Sequence, residues 1–286
     1  GLDPDDGRLE ARYRRAVAGA LRLGMHVDSA LVPYLHDDAE FPGLAMQVGA
    51  RLRSVGRTSS GAYRSYVGRV ATLNTLKVAV LGTRAVGGKI VTAVRVARAL
   101  RAAGVAAEVV GTSTLAWFQG EAHTTVLDGV PQRHVAGELE GAILAAYERT
   151  RPEVLVLEGR GGLLDPARPS DLELLTTARP DAVILQHAPM DASIPESDPF
   201  GLDAVTRHLR AIEALAAVPV VAVSLSHVGR DFEACREASE LLRGVLDCMV
   251  ADVLVDGAEP LAARLLALAA ARSSHDRGRA GAATTR

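Results

Sequence analysis

The densest chemical signal in the chain is Gly82-Thr83-Arg84-Ala85-Val86-Gly87-Gly88-Lys89. Glycines at this spacing let backbone N–H groups turn toward an anion, and a lysine beside them supplies a mobile cation. With a strand running in and a helix running out, the helix N-terminus adds favourable partial charge, and the turn suits the phosphates of a small molecule. Gly82, Thr83, Gly87, Gly88 and Lys89 are therefore the candidate cofactor-binding residues. A metal-holding phosphate loop places Ser or Thr directly after the lysine. Here Ile90 and Val91 follow, and the first hydroxyl is Thr92. Thr92 reads equally as one more contact to the cofactor and as a helix-packing residue. The loop supports anion binding and does not support Mg²⁺-dependent phosphoryl transfer.

Glu158 ends an apolar run and opens a Gly-rich turn. A carboxylate there suits proton transfer or amine binding, and equally the capping of nearby N–H groups. His187 follows the apolar run Ala182 to Leu185, with Asp191 close enough in sequence to orient it. Imidazole titrates near neutral pH and suits general acid–base work. Glu158 and His187 are the candidate catalytic residues. Arg160 has the fork geometry to clamp a carboxylate or phosphate, or is a solvated surface residue. His227, after Ser226, is a weaker candidate. No metal site is expected, because His26, His36, His123 and His134 lack the short pairing with further ligands that zinc requires. No Gly-x-Ser-x-Gly elbow is present, and Cys235 and Cys248 have no His at a recognisable nucleophile spacing.

These residues need a frame that brings them together, and the pattern of the chain supplies one. Leu76 to Leu81 is an apolar run that stops at Gly82, as a buried parallel strand does. A helix is expected from about Gly88 to Ala103, then strands at 106–110, 154–158, 182–185, 218–225 and 250–255. Helices are expected at 138–149, 202–216 and 232–243. Such alternation predicts an α/β domain with a mostly parallel sheet, right-handed crossovers and helices on both faces. Ligands of such sheets lie beyond the carboxyl ends of the strands, which places Gly82, Glu158, His187 and Ser226 on one rim. Residues 1–57 read as a partial N-terminal α/β segment, 58–74 as a linker, 75–272 as the P-loop-like domain, and 273–286 as a disordered tail. The stretch Thr112 to Glu121, with Trp117 and Phe118, either covers a ligand or packs against the rim.

Net charge is −2 over 286 residues, which argues against a nucleic-acid partner with a large basic face. No apolar stretch reaches the roughly 18 residues a membrane helix needs, and the acidic N-terminus does not resemble a secretory leader. Two cysteines without partner ligands suit a reducing compartment. A cytoplasmic protein acting on a small molecule is expected, with neither nucleic acid nor membrane as partner.

The loop has one residue more between its first Gly and its Lys than the common form, and Thr83 follows that Gly. It resembles the Gly-Thr-Asp-type loop of dethiobiotin-synthetase-like P-loop proteins. More closely, the chain resembles a P-loop family of formerly unknown function that includes D-glutamate N-acetyltransferase. Three ordered blocks carry the likeness: Gly82 to Thr92, Glu158-Gly159-Arg160-Gly161-Gly162-Leu163-Leu164-Asp165-Pro166, and Pro180-Asp181-Ala182-Val183-Ile184-Leu185-Gln186-His187-Ala188-Pro189. With agreement over Ala16 to Arg57, it covers most of the chain to about Val228. The departures cluster in the site. Arg84 stands where the family has Asp, Val91 where it has Thr, Arg160 and Asp165 where it has Gln and His, and Ser226-His227 where it has Asn-Thr. The N-terminal portion is shorter than the family's.

The resemblance implies a transferase that moves an acyl group from acetyl-CoA or another acyl-CoA to the amine of an amino-acid-like substrate. CoA carries phosphates that a loop can hold without activating a γ-phosphate. On that reading the loop residues hold the donor, Glu158 or His187 takes the amine proton, and Arg84, Arg160 and Asp165 contact the substrate. A homo-oligomer is expected. Two alternatives stay open at this point, an ATP- and Mg²⁺-dependent kinase or ligase of dethiobiotin-synthetase type, and a non-catalytic nucleotide-fold binding protein.

Overall fold

The computed structural model describes residues 9–30, 34–56, 63–85, 87–189, 198, 200–227 and 232–283, with side chains as far as residue 271. The chain forms two compact units, Gly1–Tyr63 with Val126–Gln132, and Arg64–Thr125 with Arg133–Arg286. The first unit contains α1 (Ala11–Arg22), β1 (Val27–Ser29), α2 (Phe41–Val48) and β2 (Leu52–Ser54). Its two strands pair in parallel, as the expected α/β segment requires. Leu21 and Phe41 form the centre of its core, with Ala18, Ala45 and Leu52 around them. The α2 helix stops where Gly49 turns left-handed, a conformation glycine adopts without penalty.

The second unit runs through β3 (Leu76–Gly82), α3 (Lys89–Ala102), β4 (Ala107–Gly111), α4 (Thr114–Phe118), β5 (His123–Thr124) and α5 (Gln132–Thr150). It continues through β6 (Val154–Glu158), α6 (Ser170–Ala178), β7 (Ala182–His187), α7 (Leu202–Ala216), β8 (Val220–Leu225), α8 (Phe232–Val245), β9 (Met249–Ala251) and α9 (Glu259–Ala283). All strand pairings are parallel, in the order β5-β4-β6-β3-β7-β8-β9. The chain steps one way from β3 to β4 and the other way from β6 onward. Right-handed crossovers therefore place α3 on one face and α5, α6, α7 and α8 on the other. The α9 helix joins α3 on the first face, where Leu76, Val78 and Val80 meet Ile90, Val96, Leu100 and Leu261 in one buried cluster. Ala79 and Leu81, pointing the other way, are equally buried, so β3 is covered on both sides.

Several elements depart from the pattern-based expectation. The α5 helix begins at Gln132, earlier than the expected 138, and Gly137 and Gly141 lie within it. At both, an added Cβ would run into Arg64, so the glycines let the chain pass close over the helix. Buried Glu140 accepts hydrogen bonds from the Val67 and Val70 amides, 2.7 and 3.1 Å away. The later part of 58–74, expected to be a linker, is thus held along α5. The last strand ends at Ala251 rather than 255, because Asp252 folds back to accept from the Leu254 and Val255 amides. Neither α6 nor α9 was expected, and α9 enters the segment 273–286 for which no order was foreseen. Among the described residues, no helix is long and apolar enough to cross a membrane.

Candidate functional site

The strand order sets the rim. The central strand β3 is flanked by β6 and β7, so the ends of three strands, Gly82, Glu158 and His187, come together at the carboxyl edge. The expected turn lies here, between β3 and α3. Gly88 sits at its end with φ 110°, a backbone conformation open to glycine. A Cβ there would lie 2.4 Å from Gln186 Nε2 and 3.0 Å from Ser226 Oγ. One at Gly82 would lie 2.9 Å from Lys89 Nζ. The Gly87 carbonyl accepts from Ser226 Oγ at 3.1 Å. Val86 lies outside the described residues.

Lys89 is 4% exposed, and its ammonium donates to the Gly161 carbonyl at 2.7 Å and the Arg84 carbonyl at 3.3 Å. Burial pulls its pKa below the ordinary lysine value, and the carboxylates of Asp171 and Glu158 oppose that shift. A second glycine segment forms the facing wall. Leu163 N donates to the Gly82 carbonyl at 2.9 Å, and a Cβ at Gly162 would meet the Arg84 backbone at 2.8 Å. Asp171, fully buried at the start of α6, accepts from Gly82 N at 2.6 Å and Gly161 N at 2.8 Å. One carboxylate thereby clamps both glycine segments. Its pKa is pushed up to about 6 by burial, against the pull of Lys89 and the two amides.

Asp165 clamps the loop from its other end, accepting from Ala85 N at 3.1 Å and Ala167 N at 3.0 Å. Although burial raises it, these amides and Arg84 bring its pKa below the ordinary carboxylate value. Above the sheet edge a cleft of about 780 Å³ opens beside the loop. Thr83, Arg84, Asp165 and His187 line one side, and α7 contributes Arg207, His208 and Arg210 to the other.

A family model described as "Domain of unknown function (DUF1611_C) P-loop domain" matches residues 64–262, and one described as "Domain of unknown function (DUF1611_N) Rossmann-like domain" matches residues 1–58. The chain belongs to the DUF1611 family. A crystal structure of a DUF1611 family protein from Anabaena variabilis superposes with a TM-score of 0.79 at 23% identity, covering 93% of this chain and 78% of that one. At that identity the likeness speaks for the fold. Cobyrinic acid a,c-diamide synthase from Mycobacterium smegmatis, solved with an ATP analogue and magnesium, reaches 0.42 at 15% identity over 71% of this chain and 96% of its own. A nucleotide-binding protein from Archaeoglobus fulgidus, solved with ADP, reaches 0.36 at 13% identity over 69% and 88%. Neither score is high enough to carry a functional argument. No curated protein matches the chain.

In this DUF1611 chain most of the expected site residues meet at one rim, in roles their types did not reveal. Glu158 accepts from Thr112 N at 2.8 Å, Ser113 N at 3.2 Å and Ser113 Oγ at 2.6 Å. Burial raises its pKa while these donors lower it. The carboxylate thus holds the turn into α4, where Ser113 also caps the helix. His187 is 1% exposed, with Nε2 2.7 Å from the Phe200 carbonyl and Nδ1 3.0 Å from Thr83 Oγ1. A carbonyl only accepts, so Nε2 carries hydrogen and Nδ1 of the neutral ring accepts from Thr83. Thr92 Oγ1 donates to Gln186 Oε1 at 2.9 Å, so it packs the helix to β7.

Arg160 pairs with Glu173 at 3.1 Å rather than opening toward the cleft, while Arg84 lines it. His227 pairs with Asp252 through Nε2. Asp191 lies outside the described residues. Sequence reasoning passed over Asp171 and Ser113, which touch the two glycine segments and Glu158. Among the described residues, no group of three or more His, Cys, Asp or Glu could hold a metal ion.

Proposed function

We propose that this DUF1611 chain is a small-molecule transferase that moves an acyl group from a CoA thioester to an amine. The observation that carries the reading is the loop itself. Glycines without room for a Cβ and a buried lysine face a second glycine segment, beside a cleft of mixed polar and apolar lining large enough for an acceptor. The donor set favours phosphates without a metal. Ile90 is buried in the core cluster, and Thr92 Oγ1 is engaged by Gln186. Gly82, Thr83, Gly87, Gly88 and Lys89 would hold the phosphates of CoA.

A bound acyl-CoA thioester would supply an activated acyl carbon, at which the amine nitrogen forms a bond while the carbon–sulfur bond breaks and the CoA thiolate leaves. The chain's part is to bind, orient and move a proton. Lys89 would exchange its carbonyl partners for phosphate oxygens, a charge-assisted pairing stronger than the neutral one it replaces. Glu158 would act by holding the Thr112–Ser113 turn, and His187 by orienting Thr83 at the loop. Arg84, Arg207 or Arg210 would pair with a carboxylate of the acceptor, while Asp165, Asp198 and Asp203 balance their charge in the same lining. Asp165 would hold Ala85, and Arg160 would act through Glu173. Cys235 and Cys248 are thiols, which suits a cytoplasmic setting, and a homo-oligomer is part of the reading.

The second reading, an ATP-dependent kinase or ligase, draws on the carboxylates of Asp171, Glu158 and Asp165 grouped around Lys89. Calorimetry with acetyl-CoA, CoA, and ATP with and without Mg²⁺ separates the two. Binding of acetyl-CoA that needs no Mg²⁺ supports acyl transfer. Tight Mg²⁺-dependent ATP binding with no response to CoA would remove it.

A further inference from the structure

Gly82, the first residue of the phosphate loop, is held at both of its peptide groups. Its N–H donates to Asp171 Oδ2 at 2.6 Å, and its carbonyl accepts from Leu163 N at 2.9 Å. The other oxygen of the same carboxylate, Oδ1, accepts from Gly161 N at 2.8 Å. Gly161 passes the constraint on, because its carbonyl accepts from the Lys89 ammonium at 2.7 Å. One side chain at the start of α6 thus fixes where the loop begins and, through a single residue, where its cation points. The fit is close. A Cβ at Gly159 would lie 2.6 Å from Asp171 Oδ1, and one at Gly82 would lie 2.9 Å from Lys89 Nζ.

Both of these partners of Asp171 are N–H groups, which donate and cannot accept. A carboxylate meets them with an acceptor on each oxygen. A protonated carboxyl carries hydrogen on one oxygen, and that hydrogen would face an amide hydrogen. Asp171 is fully buried, so no bulk water replaces the lost partner. The clamp is therefore complete in the carboxylate form alone.

The charges around Asp171 come from several elements. Lys89 faces it from α3 and Arg160 from the segment after β6, while Glu158, Asp165 and Arg168 surround Lys89. Glu173, on α6 itself, pairs with Arg160. On β3, against which α6 packs, Lys77 lies toward the other end and donates to the Val70 carbonyl. Residues 69–72 also pack on α6, and Arg69 there pairs with Glu148. Burial outweighs the positive neighbours and pushes Asp171 up to about 6. A proton taken up at Asp171 removes a buried charge and favours the fold, yet it releases one arm of the clamp. The other loop clamp, Asp165, is held below the ordinary carboxylate value and keeps its charge there.

We propose that Asp171 is the positioning residue of the phosphate loop, and that its carboxylate form alone sets the loop for a phosphate-bearing ligand. One proton at this residue then opens the clamp and weakens binding. That the ligand is CoA rests on the acyl-transfer reading above, whereas the clamp does not. The direction of the effect separates geometry from charge. A carboxylate acting by its charge alone would repel phosphate, and binding would tighten as pH falls. A clamp predicts that binding weakens.

Two measurements on the full chain test this. Amide NMR of the protein without ligand follows Gly82 and Gly161 from about pH 7 to about pH 5. Both signals should move with one midpoint at about 6, and neither should move in Asp171→Asn. Unmoved signals in wild type, or separate midpoints, would overturn the proposal. Calorimetry with CoA and with dephospho-CoA gives the second readout, because the 3′-phosphate of CoA itself titrates near 6 and dephospho-CoA lacks it. Wild-type affinity for both should fall about 10-fold from about pH 7 to about pH 5, as the ionised fraction of Asp171 does. Asp171→Asn keeps one acceptor and turns a donor toward the other amide, so its affinity for dephospho-CoA should be low and independent of pH. Binding that tightens on acidification, or the same fall in Asp171→Asn, would overturn the proposal while the functional reading stands. If neither CoA form binds at any pH, the functional reading fails, and the amide titration still decides whether Asp171 is the clamp.

Discussion

At Lys89 a single ammonium is buried against two carbonyls, with three carboxylates around it. Lys89→Met keeps the stem and removes the charge. It should lower stability, because removing the cation leaves the buried Asp171 and Glu158 carboxylates without their compensating charge. CoA binding should weaken by about 30-fold, the equivalent of the roughly 2 kcal/mol that a hydrogen bond to a charged group contributes. Titration calorimetry reads that difference, and equal affinity in both proteins would remove Lys89 from the site. Asp171 makes a pH-dependent contribution whose sign follows from its raised pKa. In the folded chain it binds its proton up to about 6, against an ordinary 3.8. The stability gained from that proton is complete below about 3.8 and disappears as pH rises through about 6. The difference in unfolding free energy between wild type and Asp171→Asn should therefore fall by up to roughly 3 kcal/mol from pH 4 to pH 7. Denaturant titrations across that range measure it, and a flat or rising difference contradicts the assignment.

At the level of elements, the turn between β3 and α3 is one side of a two-part clamp. The other side is the segment between β6 and α6, whose Gly159, Gly161 and Gly162 each lack room for a Cβ. Asp171 bridges the two sides from the start of α6, so loop shape depends on a helix far along the chain. Gly88→Ala places a side chain at φ 110° and against Gln186. That substitution should cost about 1–3 kcal/mol and lower Tm, and CoA affinity should drop with the loop's shape. Unaltered melting together with unaltered binding would show that this backbone conformation is not the one the protein uses. The turn and its two flanking elements were legible, because a strand, a glycine-rich break and a helix differ in period and composition. The α6 helix was not, since it is short and more than half of its residues are buried. The α9 helix was not legible either, because the Ser, Gly and charged residues after 272 break the period that Leu and Ala set over 261–271.

For the molecule as a whole, the phosphate loop, its facing segment and the cleft are all built from the second unit. A chain of residues 64–286 should therefore bind CoA with the affinity of the full chain, measurable by calorimetry. Loss of binding by a folded 64–286 chain would show that the first unit contributes to the site.

The sequence alone determined the alternating α/β order, the position of the phosphate loop and the family to which the chain belongs, because hydrophobic period and glycine spacing are local properties. It also brought out Glu158 and His187 as strand-end residues. Only the tertiary structure decided what those side chains touch. Asp171 meets Gly82 across 89 positions, and His187 meets Thr83 across 104, through a strand order that puts β6 and β7 on either side of β3. Whether a buried carboxylate or imidazole is spoken for depends on partners supplied by distant elements, and for that reason the clamp that Asp171 makes left no trace in the pattern of the chain.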